Sequence, residues 1–346
     1  MKKLERKGNL EVLKILCIIL IIIHHYFVHG GCGDKSIIEA NILIGFIGKN
    51  VGKIASNVFV LITGYFIFKS EFKIQKIIKI MCEFVFYSVL VNVIIAILLK
   101  NVNVLNYLAF SFFPIFFKLH WFVLAYIGMY LFIPFIKPAL NKLSQKNYLI
   151  LLLVLGFFIS VIPTIIAVIF NVNLVESFGS VVTFLYLAMI GGYISKFNIC
   201  IFKNKWYNLL TIIYLFLVFF IFGQLRAANS LFVLILSVLI IDLFLKLEIK
   251  NNKIISFFSN SSLGVLLLHD NALFNKVMWV EIFKTPSYYD APVVLLLKHI
   301  VFCVVSIYLV GSLIDWVRRK IENKIFTKSM ENDFLNEINK CFNSEV

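Results

Sequence analysis

The stretch from Leu13 to Gly31, LKILCIILIIIHHYFVHGG, sets one lysine and three histidines into what is otherwise hydrocarbon. An imidazole titrates near neutrality, so it can take a proton from a hydroxyl and later return one. That is the chemistry of acyl transfer to an alcohol. On a helix Lys14 and His25, eleven residues apart, are close to three full turns apart, so they share a face and sit roughly 16 Å apart along the axis. His29 falls one turn beyond His25 on the same face, and His24 points about a quarter-turn away. Taken singly, Lys14 is explained as a snorkelling anchor and a histidine as interfacial packing. Together they read as a polar stripe, because ionisable groups inside a membrane face a cavity or a partner. The i, i+4 spacing of His25 and His29 also suits a metal. No H-E-x-x-H occurs and no acidic ligand lies in the same turn, so no metal is expected.

Three further stretches carry ionisable groups. GVLLLHDN, 264–271, ends an apolar run with His269 and Asp270. Adjacent residues point to different faces, so these two need not touch, but Asp270 is placed to orient a histidine on another helix. KLHWFVLAYIGMYLFIPFIKP, 118–138, opens with His120 and Trp121, the latter suited to an aromatic belt at the interface. NVFVLITGYFIFKSEFKIQKIIKIM, 57–81, interrupts an apolar run at Thr63-Gly64. Lys69, Lys73, Lys76 and Lys79 follow at helical spacing on one face. They suit a clamp for the phosphates of a polyanionic donor. On the residues alone, an amphipathic helix on anionic lipid explains them better. His299 is isolated and reads as structural. There is no G-x-S-x-G elbow, no phosphate-binding P-loop and no dinucleotide fingerprint.

The elements that must position these groups are membrane helices. Of 346 residues 61% are hydrophobic and 15% charged, with a mean hydropathy of +0.95. Apolar runs of about 20 residues, the length that crosses a bilayer, recur about ten times. They centre on 10–29, 51–68, 80–99, 119–137, 148–170, 179–195, 207–223, 231–247, 256–274 and 292–315. The expected fold is an all-α polytopic membrane protein. The net charge of +15 is explained by lysines in connections that stay cytoplasmic, without nucleic-acid binding. The basic connections alternate along the chain, which puts both termini in the cytoplasm. Residues 1–316 are expected to form the membrane domain, and 317–346 a short charged tail too small to bury its own core. The six cysteines show no C-x-x-C spacing, so neither a disulfide framework nor a zinc cluster is expected.

At this point the chain resembles the acyltransferase-3 family of integral membrane O-acyltransferases, over nearly all of 9–316 and closest to its Gram-positive branch. The family signature is an arginine, ten residues, then a histidine. His25 falls at that histidine and Lys14 at the arginine, within NLEVLK…HHYFVHGG. FVLITGYF, HWFVLAYIGMYLFIPF and GVLLLHDN match three further family segments, with Thr63 where the family has serine. The resemblance implies about ten helices, acetyl-CoA as a cytoplasmic acyl donor and acyl transfer centred on a histidine. It assigns Lys14, Lys69, Lys73 and Lys76 to the donor phosphates and His25 to catalysis, with His24, Asp270 and His269 orienting it. Two departures stand out. Lys14 keeps the charge of arginine but not its planar fork, and Asn275-Lys276 stands where relatives often carry an arginine.

The expectation is therefore a multi-pass protein of the cell membrane. It transfers acetyl to a hydroxyl of a surface polysaccharide or of its lipid-linked precursor. The donor is cytoplasmic while His25 lies towards the far side, so either the pantetheine arm threads inwards or the acyl group is relayed. A glycan or lipid transporter is the alternative, against which stands the absence of an inverted repeat or paired broken helices. Acceptor choice is expected to rest on the connections 30–50, 101–118 and 275–291.

Overall fold

A computed structural model describes residues 7–32, 38–99, 121–171, 179–221, 227–326 and 333–343. Every regular element among them is helical. In chain order they are α1 (Gly8–Val28), α2 (Glu39–Ile67), α3 (Ile74–Leu99), α4 (Trp121–Lys142) and α5 (Gln145–Phe170). Then come α6 (Gly179–Phe197), α7 (Lys205–Ile221), α8 (Leu231–Leu245), α9 (Lys253–Asn260) and α10 (Ser262–His269). A π-helical turn (Val277–Ile282), α11 (Thr285–Tyr289), α12 (Val293–Phe326) and α13 (Asp333–Asn343) complete the chain. Helices α1 to α5 and α12 are long and apolar enough to cross a membrane, and α6, α7 and α8 are shorter apolar helices. Each run expected as a span is mainly helical over its described residues, and the His120 position lies outside them.

The outward faces of α5 and α7 leave Leu153, Ile169, Phe170, Leu210 and Tyr214 more than half exposed. So broad an apolar surface is stable against hydrocarbon and not against water. Inside, the helices approach through small residues. A Cβ on Gly64 of α2 would lie 2.4 Å from the Ala188 carbonyl oxygen of α6, and one on Gly191 would lie 2.3 Å from the Leu61 oxygen. Without side chains there, α2 and α6 pack backbone to backbone.

Two expectations need correction. Helix α2 begins at Glu39, not near 51, so 39–50 is helix and not part of an acceptor loop. Gly45, Gly48, Lys49, Asn50 and Gly52 break the hydropathy there, but three of them are the residues that let neighbours in. A Cβ on Gly48 would strike the Phe27 ring at 2.1 Å, and one on Gly52 the His24 ring at 2.4 Å. The run 256–274 is likewise divided, at Ser261, into α9 and α10. Serine hydroxyls compete with the helix for backbone partners. Ser261 Oγ donates back to the Phe257 carbonyl (3.1 Å) and accepts from Arg319 Nη2 (2.9 Å). Helix α12 also continues through Trp316 to Phe326, so no break marks residue 316.

An ion cluster fixes α3 and the α9–α10 break against α12. Asp315, fully buried, accepts from Arg318 at 2.9 Å and from Tyr87 of α3 at 3.4 Å, and forms an ion pair with Arg319 at 2.8 Å. Arg318 also pairs with Glu83 at 3.2 Å and with Glu322. Buried charges persist only when paired in this way. The same end of the bundle gathers lysines. Lys7 donates to the Tyr65 hydroxyl (2.8 Å), Lys137 to the Ser70 carbonyl (2.7 Å) and Lys196 to three carbonyls at the end of α4. Helix α13 docks at this lysine-rich end. Its Asn339 and Asn343 side chains accept from the Ile74 and Phe72 amides, at 2.8 and 3.0 Å, and so cap the start of α3. Phe342 packs on Phe72 and Phe135.

Candidate active site

Helix α1 runs the depth of the bundle with Lys14 near its lysine-rich end and the histidines near the other. The helical phase read from the sequence holds: His25 and His29 stack one turn apart, with ring centroids at 5.0 Å. Helix α10 ends beside them, so Asp270, just past its last turn, reaches both rings. Its Oδ1 lies 3.5 Å from His25 Nε2 and 3.9 Å from His29 Nε2. Both the Asp270 carboxylate and the His25 ring are nearly buried.

His269 turns away from Asp270, as adjacent residues should. It is fully buried, its Nδ1 bonds the Val265 carbonyl at 2.6 Å, and its ring lies 5.1 Å from that of His25. That backbone bond fixes Nε2 as an acceptor. His24 sits on the other side of His25, ring centroids 5.4 Å apart, packed against Gly52 and the backbone of Gly48 and Lys49. The sequence's four catalytic candidates, His24, His25, His269 and Asp270, are thus one cluster, drawn from α1 and the end of α10. His29 belongs with them.

His24, His25, His29 and Asp270 line a cavity of about 360 Å³ whose wall also includes Lys53, Ser56, Trp121, Phe122 and Asn275, while His269 is buried behind it. Trp121 is half exposed at its rim. Lys53 and Ser56 escaped the sequence reading because they fall inside an expected span, 51–68, and match no motif. Their one-turn spacing to Gly52 and Lys49 was the available signal.

The donor candidates divide. Lys14 lines a second cavity, of about 280 Å³, with Phe59, Thr63, Tyr126, Ser259, Ser262 and again Phe122. Its ammonium pairs with Glu11 at 3.3 Å and lies over the Phe66 ring. Lys69 lies over Tyr65, the ring that Lys7 also covers. Lys76 lies over Tyr130, whose hydroxyl accepts from the Lys73 amide at 3.2 Å. The single helical face expected for Lys69, Lys73, Lys76 and Lys79 is not formed. Helix α2 ends at Ile67 and α3 starts only at Ile74, so Lys69 and Lys73 fall in the reversal between two antiparallel helices. None of Lys69, Lys73 and Lys76 lines the Lys14 cavity. His299, as expected, is structural: its Nδ1 meets the Tyr26 hydroxyl at 2.8 Å and its ring stacks on Tyr288 at 3.6 Å.

One nitrogen of His25, one of His29 and one oxygen of Asp270 lie within 4.8 Å of one another, close enough to be drawn around a single cation. The same atoms suit an acid–base pair, in which the carboxylate compensates a proton taken up by His25.

A multi-pass helical protein with a nearly buried histidine–carboxylate pair on a cavity wall holds the groups that general acid–base chemistry uses. The family comparison specifies that class. A family model described as an acyltransferase domain, acyltransferase-3, matches residues 7–314, and the chain belongs to this family. It is a membrane acyltransferase. Neither a curated protein nor a solved structure matches it significantly.

Proposed function

We propose that this protein is an O-acetyltransferase of the cytoplasmic membrane. It moves acetyl from acetyl-CoA to a hydroxyl of a cell-surface polysaccharide or of its lipid-linked precursor. The observation that carries the reading is the His25–Asp270 pair at 3.5 Å on the wall of a cavity, within a chain of this family. The lysine-rich end faces the cytoplasm, as the charge distribution favours. Coenzyme A approaches from there, with Lys14 and the lysines Lys69, Lys73 and Lys76 near its phosphates. The acceptor enters from the opposite end.

In the reaction the acceptor oxygen attacks the thioester carbonyl while His25 takes the hydroxyl proton. The carbon–sulfur bond breaks, the ester forms, and His25 returns the proton to the departing thiolate. Asp270 neutralises the imidazolium that exists between those two transfers. His269, its Nδ1 held by the Val265 carbonyl, and His24 pack with ring centroids 5.1 and 5.4 Å from that of His25 and help to orient it.

The divided α9–α10 helix favours a second reading, a transporter, since such breaks border substrate sites in carriers. Purified protein in detergent, given acetyl-CoA and membrane glycan, separates the two: transfer of acetate to ester linkage is expected, and its absence supports the carrier. In cells, His25→Ala at unchanged membrane abundance is expected to remove ester-linked acetate from surface glycans. Full retention of that acetate overturns the assignment of His25.

A further inference from the structure

The two cavities described above open on different problems. One holds His25 and Asp270 at the end proposed for the acceptor; the other holds Lys14 at the end proposed for the donor. Lys14 and His25 stand roughly 16 Å apart along α1. Of the residues lining the two cavities, Phe122 alone belongs to both.

Phe122 is well fixed in that position. It is 4% exposed. Its ring meets Phe184 edge-on at 5.0 Å and Phe59 at 6.0 Å, and lies parallel to Tyr126 at 6.5 Å. Phe59 and Tyr126 line the Lys14 cavity, so the aromatic cluster is continuous with its wall. On the other side, Trp121 and Ser56 line the His25 cavity. One apolar ring is therefore shared by the walls of two cavities, each of which holds ionisable side chains.

A membrane enzyme that takes its donor from one side and its acceptor from the other has a physical problem that a soluble enzyme lacks. A continuous polar passage would let water and ions cross the bilayer. An apolar constriction blocks them by remaining dry, while a short acyl thioester, uncharged at its tip, can pass. A phenyl ring turns about two side-chain torsions, so it can yield without moving a helix.

We propose that Phe122 is the septum between a donor chamber and an acceptor chamber, and that the acyl thioester reaches His25 by displacing its ring. Phe122 is a positioning residue: it admits the thioester and keeps the two aqueous sides apart. The proposal rests on the acyltransferase reading for the identity of what passes, but the separation of the chambers is testable without activity.

The test uses the full chain, with the cysteines that are not buried (Cys82, Cys200 and Cys341) replaced by serine, in sealed membrane vesicles of known orientation. Ser56→Cys marks the His25 chamber and Ser259→Cys the Lys14 chamber, and a charged, membrane-impermeant thiol reagent is added to one side at a time. With Phe122 in place, each cysteine is expected to react from its own side only. With Phe122→Ala each is expected to react from both sides, at least tenfold faster than before from the forbidden one. Phe122→Leu serves the same purpose should the alanine variant fail to fold. Phe122→Trp, which enlarges the septum, is expected to lower ester-linked surface acetate more than tenfold while leaving the sidedness of labelling intact. Unchanged sidedness in both smaller variants, or full acetylation with tryptophan, overturns the septum. Absence of any acetyl transfer by the unmodified chain instead overturns the acyltransferase reading and leaves the labelling result to stand alone.

Discussion

Replacing Asp270 by asparagine isolates what its charge does for His25. The two side chains are nearly the same size, so the end of α10 and the cavity wall keep their packing. What changes is the field at the imidazole. Two unit charges at the observed 3.5 Å interact by about 5 kcal/mol when the effective dielectric constant is about 20. In the transition state the proton is part-way to His25, so about half that energy is at stake, or roughly 30-fold to 150-fold in rate. The assay is release of coenzyme A thiol coupled to formation of ester-linked acetate, using purified protein and membrane glycan. The turnover number should fall by that factor. The KM for acetyl-CoA should stay within about twofold, because a group that acts only in the transition state does not alter donor binding. Asp270→Asn retaining a third or more of the activity at equal abundance would falsify the pairing of His25 with this carboxylate.

Four further outcomes are expected. Since His25, His29 and Asp270 are close enough to surround a cation, metal analysis decides between two uses of the same atoms: an acid–base pair predicts no stoichiometric metal, indifference to chelators and substantial activity in His29→Asn, and stoichiometric zinc lost together with activity would replace it. Arg318→Ala strands the carboxylates of Glu83, Asp315 and Glu322 and should cost about 3–5 kcal/mol, seen as loss of monodisperse protein on size-exclusion chromatography. Gly64→Val pushes a side chain into the Ala188 backbone and should lower the Tm in detergent, by an overpacking penalty of about 1–3 kcal/mol; an unchanged Tm refutes the close packing of α2 on α6. Burial pushes the Cys32 thiol up to about 12, so at neutral pH it should resist a thiol reagent that modifies Cys200; comparable rates for the two would contradict that burial.

The histidine end of α1 was legible because a helix imposes its period whatever surrounds it. Lys14, His25 and His29 fall on one face by counting alone, and the structure keeps them there. The approach of Asp270 was legible only as a possibility, since no local rule says which helix end lands beside which histidine. The first twelve residues of α2 were hidden for a different reason. Glycine, asparagine and lysine signal a turn in an isolated chain, and only the arrival of Phe27 and His24 shows why small residues are needed in a helix there. Lys69 and Lys73 were misplaced because helical spacing was extended across a chain reversal that apolar flanks do not announce. Phe122 carried no signal at all: one phenylalanine among 37 acquires meaning only when two cavities meet at its ring.

The cap on α3 has a consequence for how the protein is made. The amides of Ile74 and Phe72 find their acceptors 265 and 271 residues later in the chain. A ribosome adding about 5 to 20 residues each second needs about 13 to 54 s to cover that distance. Throughout that interval α3 has been synthesised but its first turn lacks these partners, and water or lipid headgroups must serve those amides instead. The lysine-rich end is therefore closed late in synthesis, by residues that arrive after every long apolar helix has been made.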